Sequence, residues 1–172
     1  LTVGSTWYPF DRLIKAVDEL AAGSREEFFL QTGKNTYQPK NAKWKPYLSF
    51  QEMVEIIKKS RIVISHAGAG TILLCLNLGK SPIVVPRDPA RGEHIDHHQN
   101  ELCERLAKEG RLTIVHNLEE LPIYINEESK RATDTIQNNY RDEAPLVLHL
   151  RELVKEWFGP GRDSSDNCPT NT

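Results

Sequence analysis

The chain has no long apolar run. Its longest, such as Ile62–Ser65 and Ile83–Pro86, are of strand length, far short of the roughly 20 residues that cross a bilayer. The first residues lack the basic-then-apolar pattern of a secretory signal. Cysteine is scarce as well. Cys75, Cys103 and Cys168 are odd in number and widely spaced, with no CxxC pair, which excludes a disulfide framework and a paired-thiolate zinc or redox motif and fits a reducing, cytosolic compartment. Nor does one charge dominate. Lys and Arg total 22 against 24 Asp and Glu, interleaved for a net charge of −2, so the electrostatic footprint of nucleic-acid or anionic-membrane binding is missing. What is there is a 172-residue chain with 38% hydrophobic content, enough for one globular domain with a sizeable core.

Strand and helix signals alternate from the first residue. Leu1–Gly4 reads as a short strand ending in Gly4-Ser5-Thr6, after which Phe10, Leu13, Ile14, Val17 and Leu20 recur at helical spacing. Glu27–Gln31 is a second strand, Thr32–Ala42 a polar loop and Lys43–Leu48 a third strand. Ser49 and Glu52 form a capping box that opens a helix over Ser49–Lys59. Ile62–Pro86 then combines a strand, a glycine-rich turn, a helix and a strand. A helix from His94 to Glu109 stops at Gly110, where glycine adopts the left-handed cap easily, and Leu112–Val115 is the last strand. Leu118–Leu121, Glu127–Tyr140 and Pro145–Phe158 read as C-terminal helices, and the Gly159–Thr172 tail, rich in Gly, Pro, Ser, Asp and Asn, as disordered. The pattern predicts one α/β domain over residues 1–158: a Rossmann-like parallel sheet with helices on both faces and ligands at the carboxyl ends of the strands.

Ile62–Pro86 carries the strongest chemical signal. Gly68 and Gly70 let the backbone turn sharply and approach a ligand closely, and the N–H groups of the helix that follows point outward with partial positive charge, a seat for phosphate. A dinucleotide fingerprint wants a third glycine after the first strand, whereas Gly68-Ala69-Gly70 is followed by Thr71-Ile72-Leu73 after the fourth; a Walker loop wants Lys-Ser/Thr, which does not follow. His66, between strand and turn, reads either as a core histidine holding the loop or as a ligand contact. Gly92-Glu93-His94-Ile95-Asp96-His97-His98-Gln99 opens a helix with three histidines. It reads as a metal cluster, a solvated helix start or a hydrogen-bonding surface for a polyhydroxylated ligand, and no further residues complete a coordination set, so no metal is assigned.

Together, Ser65-His66-Ala67-Gly68-Ala69-Gly70-Thr71, Leu78-Gly79-Lys80, Val84-Val85-Pro86-Arg87, and Gly92-Glu93-His94 with Asp96 and His98-Gln99 resemble the C-terminal domain of glycosyltransferase family 28. Val3-Gly4-Ser5-Thr6 with Pro9-Phe10-Asp11 is similar to its short, separate donor-binding subunits, those of bacterial exopolysaccharide and dolichol-linked GlcNAc transferases. The resemblance covers Leu1 to about Leu121.

It implies the C-terminal, nucleotide-sugar-binding half of a GT-B glycosyltransferase, acting in an inverting transfer from a UDP-sugar to a membrane-lipid-linked acceptor in polysaccharide or glycan synthesis. No metal or other cofactor is obligatory, because the helix start can stabilise the departing diphosphate. By position in the motif, the diphosphate sits on Gly68, Ala69, Gly70 and Thr71, and Gly4, Ser5 and Thr6 close over it. Tyr47 and Leu48 flank the uracil through main-chain hydrogen bonds, and His98 and Gln99 contact the sugar. Where the family commonly has a ribose-binding glutamate this chain has Leu74, so that contact is not carried over. The acceptor's general base is expected on an acceptor-binding partner, with His66 the nearest local alternative. The resemblance thus implies a heteromer, held by a membrane-anchored subunit at the cytoplasmic face. A non-catalytic nucleotide-sugar-binding or assembly module is the alternative, and the two-domain sugar-nucleotide epimerases are a more distant one.

Overall fold

A computed structural model describes residues 1–93 and 98–135, with backbone alone at 98–101 and 131–135. Its elements are α1 (Asp11–Ala22), β1 (Phe29–Gln31), β2 (Lys43–Lys45), α2 (Phe50–Lys59), β3 (Ile64–His66), α3 (Ala69–Asn77), β4 (Ile83–Val85), α4 (His98–Lys108), β5 (Thr113–Ile114) and α5 (Leu121–Thr135). β1 pairs with β2, β3 with β4 and β4 with β5, all in parallel. Leu1–Val3 joins the two sets: Thr2 bridges in parallel to both Gln31 and Ser65, and its N–H donates to the Ile64 carbonyl at 2.9 Å. The spatial order is therefore β2, β1, Leu1–Val3, β3, β4, β5. The chain first builds outward from Leu1–Val3 to β2, and α2 then carries it back to place β3 on the other side, so the direction of growth reverses between Leu1–Val3 and β3.

Alternation along the strands sorts the core into two faces. Ile83 and Val85 pack with Val3, Leu13, Ile14, Val17 and Leu121, beneath α1 and the start of α5. Val84, between them, packs with Ala67, Ile72, Cys103 and Leu106, beneath α3 and α4. All three strand residues are fully buried, as expected of a parallel strand covered on both sides; each such side chain contributes about 1.5–3 kcal/mol on burial. Ile57 of α2 joins Val63 and Cys75 in a third cluster. β2 is exposed throughout, and its lysines, paired with Glu27 at 2.8 Å and Glu52 at 2.9 Å, guard the open sheet edge.

The C-terminal helices differ in their bounds from the sequence reading. A 3-10 turn over Leu118–Glu120, capped by the Asn117 side chain, runs directly into α5 at Leu121. Pro122 does not break the helix because it occupies the first turn, where no intrahelical N–H is required. The expected helix over Pro145–Phe158 and the tail lie outside the described residues, all of which belong to one compact unit, Leu1–Asn139. Among the described residues no helix is long and apolar enough to cross a membrane.

The loop between β1 and β2 has no helix of its own and is held by a buried carboxylate. Asp18 of α1 is fully buried. It accepts the N–H groups of Lys40, Asn41 and Ala42 at 2.8 to 3.1 Å and the Tyr37 hydroxyl at 2.8 Å. Burial pushes its pKa up, but these donors override burial and hold the carboxyl below its ordinary value. The capping box of α2 is present, and there the Lys45 ammonium and the Ser49 N–H hold Glu52 down to about 2. Both groups are depressed, so their stabilisation is complete above the unfolded carboxylate pKa near 4 and is lost as pH falls through the folded values. Urea midpoints should fall from about pH 4 downward, and Asp18→Ala should cost about 3 kcal/mol at neutral pH by stranding three backbone donors while flattening that acid dependence.

Candidate functional site

The carboxyl ends of all the parallel strands lie along one edge, and ligands of such sheets bind where strand order reverses. Here that point falls between Val3, which leads into Gly4, and His66, which leads into Gly68. The two ends are in direct register, with the His66 N–H donating to the Thr2 carbonyl at 3.3 Å.

The helix rising from this point differs from its neighbour. α2 starts sealed: Ser49 accepts the Glu52 N–H, and Glu52 returns the bond to the Ser49 N–H. α3 starts open. Its N-cap is Gly68, which offers no side-chain acceptor, and no acidic residue stands in its first turn. The first intrahelical donor there is Ile72, bonded to the Gly68 carbonyl at 3.1 Å. By helix geometry the N–H groups of Ala69, Gly70 and Thr71 have no acceptor within α3 and point away from it, together with the positive end of the dipole. Ala69 and Gly70 are exposed. This arrangement can hold an anion.

The glycines around the helix start have different reasons to be glycine. His66 is buried, 6% exposed, and its ring lies between the two chain ends. A Cβ on Gly68 would meet His66 Nε2 at 2.2 Å, and one on Gly4, itself at φ +73°, would meet His66 Cε1 at 2.7 Å. Both therefore make room for the imidazole. A Cβ on Gly70 would meet nothing within 4 Å, so packing inside the protein does not account for it; it leaves free approach to the α3 start.

Side chains from neighbouring strand ends fix the loop after Gly4. Gln31, buried at the end of β1, accepts the Gly4 N–H at 3.0 Å and donates to the Gly4 carbonyl at 2.9 Å and the Pro46 carbonyl at 2.8 Å. Asn35 accepts the Phe10 N–H, and Lys34 Nζ lies 3.4 Å from the centre of the Trp7 ring, which is itself 78% exposed. On the other side, Arg87 and Arg12 reach this loop and Glu93. Sequence reading missed Gln31, Asn35 and the pairing of Arg12 with Glu93. The available signal was a polar residue ending an apolar strand and a glutamate directly after Gly92.

Gly4, Ser5, Thr6, Gly68, Ala69, Gly70 and Thr71 converge on the reversal point. Ser5 is exposed, whereas the Thr6 hydroxyl oxygen is buried without a hydrogen-bond partner. Tyr47 is 50% exposed, and Pro46 beside it is tied through Gln31 to Gly4. Leu48 is half-buried and lines a small cavity of about 20 Å³ together with Met53, Ile56 and Val63. His98 and Gln99 open α4, and His94 to His97 lie outside the described residues. Leu74, the position expected to lack a ribose carboxylate, is half-buried and packs against the cluster of Ile57, Val63 and Cys75. Among the described residues no group of three or more His, Cys, Asp or Glu could hold a metal. Burial raises the thiols of Cys75 to about 12 and Cys103 to about 11, which makes both poor nucleophiles at neutral pH.

A doubly wound parallel sheet whose strand order reverses beside an open helix start defines a Rossmann-like domain. Residues 1–150 match the glycosyltransferase family 28 C-terminal domain, and the chain belongs to that family. It is 33% identical to the UDP-N-acetylglucosamine transferase subunit ALG13 of Homo sapiens, over 65% of this chain and 10% of that protein. It is 37% identical to the UDP-N-acetylglucosamine--N-acetylmuramyl-(pentapeptide) pyrophosphoryl-undecaprenol N-acetylglucosamine transferase of Borreliella burgdorferi, over 40% of this chain and 20% of that one. The aligned region thus spans a small part of either relative. The crystal structure of the glycotransferase of kitacinnamycin superposes with a TM-score of 0.55 at 14% identity, over 90% of this chain and 38% of that one. The fold is that of the C-terminal half of a GT-B glycosyltransferase.

The two classes of glycine separate in a stability measurement. Gly68→Ala should lower stability by about 1–3 kcal/mol through overpacking against His66, and His66→Ala in the same chain should recover part of that loss. Gly70→Ala should be neutral or stabilise by up to about 1 kcal/mol, since alanine is the better helix former. Equal losses at both positions would show that the ring does not set the difference.

Proposed function

We propose that this chain is the donor-binding part of an inverting glycosyltransferase that passes a sugar from a UDP-sugar to a membrane-lipid-linked acceptor. The observation that carries the proposal is the uncapped start of α3, with Gly70 open above it, at the point where strand order reverses. The diphosphate seats on Gly68, Ala69, Gly70 and Thr71, with Gly4, Ser5 and Thr6 closing from the first loop. The main chain at Tyr47 and Leu48 meets the uracil, and His98 and Gln99 meet the sugar. N-acetylglucosamine is the favoured sugar, because it is named in the relatives from Homo sapiens and Borreliella burgdorferi.

In the transfer, the acceptor hydroxyl attacks the anomeric carbon as the bond to the diphosphate oxygen breaks, which inverts that centre. The N–H groups and dipole of α3 stabilise the charge gathering on the leaving diphosphate. No metal is needed for this. With its ring wedged between Gly4 and Gly68, His66 is better suited to spacing the two loops than to taking the acceptor's proton, and the base belongs to the acceptor-binding partner. That partner, membrane-anchored, would hold this chain at the cytoplasmic face. The relative from Homo sapiens is named a subunit of its transferase, which supports a partner for this chain. Leucine at position 74, where the family commonly has glutamate, leaves out one ribose contact, the feature that would favour a nucleotide-sugar-binding module without turnover.

Calorimetry tests the seat. Gly70→Val should weaken UDP binding by more than about tenfold, equivalent to 1.4 kcal/mol, while circular dichroism keeps the wild-type spectrum; wild-type affinity in the folded variant would remove the diphosphate from α3. Transfer to a lipid-linked acceptor should appear only when the acceptor-binding subunit is added. A purified chain that glycosylates the lipid alone at an ordinary enzymatic rate would refute the need for a partner.

A further inference from the structure

One buried cation reaches both sides of the cleft. Arg87, just past β4, is 6% exposed. Its Nη2 donates to the Val3 carbonyl at 2.9 Å, and its Nη1 to the carbonyls of Tyr8 at 2.8 Å, Pro9 at 3.3 Å and Glu93 at 3.2 Å. The guanidinium therefore grips the first loop at its beginning and near its end and, with the same nitrogen, the backbone where the chain leaves the β4 side of the cleft.

Arg12, at the start of α1, closes the circuit. Its Nε lies 2.6 Å from Glu93 Oε1, its Nη2 lies 3.0 Å from Oε2, and Nη2 also donates to the Pro86 carbonyl at 3.1 Å. Such a two-pronged pair fixes orientation as well as distance. The Asp88 N–H donates to Glu93 Oε2 at 2.8 Å. The two guanidiniums also share Phe10, with their carbons 5.0 and 4.7 Å from the centre of its ring. Glu93, itself 5% exposed, meets both cations: its carboxylate pairs with Arg12, and its backbone carbonyl accepts from Arg87. Packing alone would not demand this chemistry, because an apolar trio could fill the same volume without the cost of burying charge.

We propose that Arg12, Arg87 and Glu93 form a positioning unit that couples the first loop, Gly4–Phe10, to the connection after β4, residues 86–93, so that the two loops bordering the donor cleft are set together. This deepens the donor-binding reading and rests on it. None of the three touches the donor in this scheme. They act through the backbone they hold.

The test reads one side of the cleft after perturbing the other. In Glu93→Gln, which keeps the shape and loses the charge, the hydrogen-bonded amides of Val3, Gly4 and Phe10 should exchange about tenfold faster, with rates in α2 unchanged, and UDP affinity should fall by about tenfold, the size of one lost charge-assisted hydrogen bond. Arg12→Lys, which keeps the charge and loses the fork, should shift the same amides by less and provides the measurement if Glu93→Gln does not fold. A double variant should be no worse than the worse single variant, since the two residues act through one contact. Unchanged exchange at Val3, Gly4 and Phe10 in a folded variant overturns the coupling, and faster exchange with wild-type UDP affinity overturns its bearing on the donor. Wild-type protein that binds neither UDP nor UDP-N-acetylglucosamine overturns the donor-binding reading instead, and the exchange rates then decide the coupling alone.

Discussion

Everything at the cleft depends on the reversal of strand order between Leu1–Val3 and β3. Two parallel strands that end side by side and lead in opposite directions leave a gap at their carboxyl ends that neither connection can fill. The His66 ring occupies the base of that gap, and Gly4 and Gly68 lack side chains because the ring is there. Above it the start of α3 is left without a cap. A side-chain cap such as the one on α2 would occupy the donors an anionic ligand would use, so the absence of a cap on α3 leaves those donors open.

Buried polar groups, at the cleft and at the opposite ends of the strands, make up for the small amount of regular structure. The strands are two or three residues long, and the loops carry their own backbone donors and acceptors. Asp18 satisfies the loop before β2, Gln31 the two strand ends at Gly4 and Pro46, and Arg87 the carbonyls of the first loop. Each replaces a piece of secondary structure with a side chain that makes several hydrogen bonds, at a desolvation cost that is recovered only while every bond is kept.

Much of this could be read from the residues. Periodicity located the sheet strands and α1 to α4, because a parallel strand buried on both faces, such as Ile83-Val84-Val85, leaves no ambiguity about its environment. The Ser49 and Glu52 box set the start of α2. The glycine turn pointed to an anion, and the joint motif pointed to the family. Pro122 acts as a breaker or a first-turn residue according to where the preceding turn is capped, so α5 begins at Leu121 rather than at Glu127.

The sequence by itself determined the order of elements, their faces and the glycine turn at the reversal point, because each of these follows from local spacing: apolar period, capping residues, glycines at a turn. It did not determine which glycines serve packing and which serve a ligand, nor that Arg12 would meet Glu93 and Arg87 would meet Val3 and Tyr8. Those pairings join residues about 80 positions apart. They exist only once the strand order brings the end of β4 beside the first loop, and in a buried site the partner that satisfies a charge is chosen by proximity in space, a property no local pattern encodes.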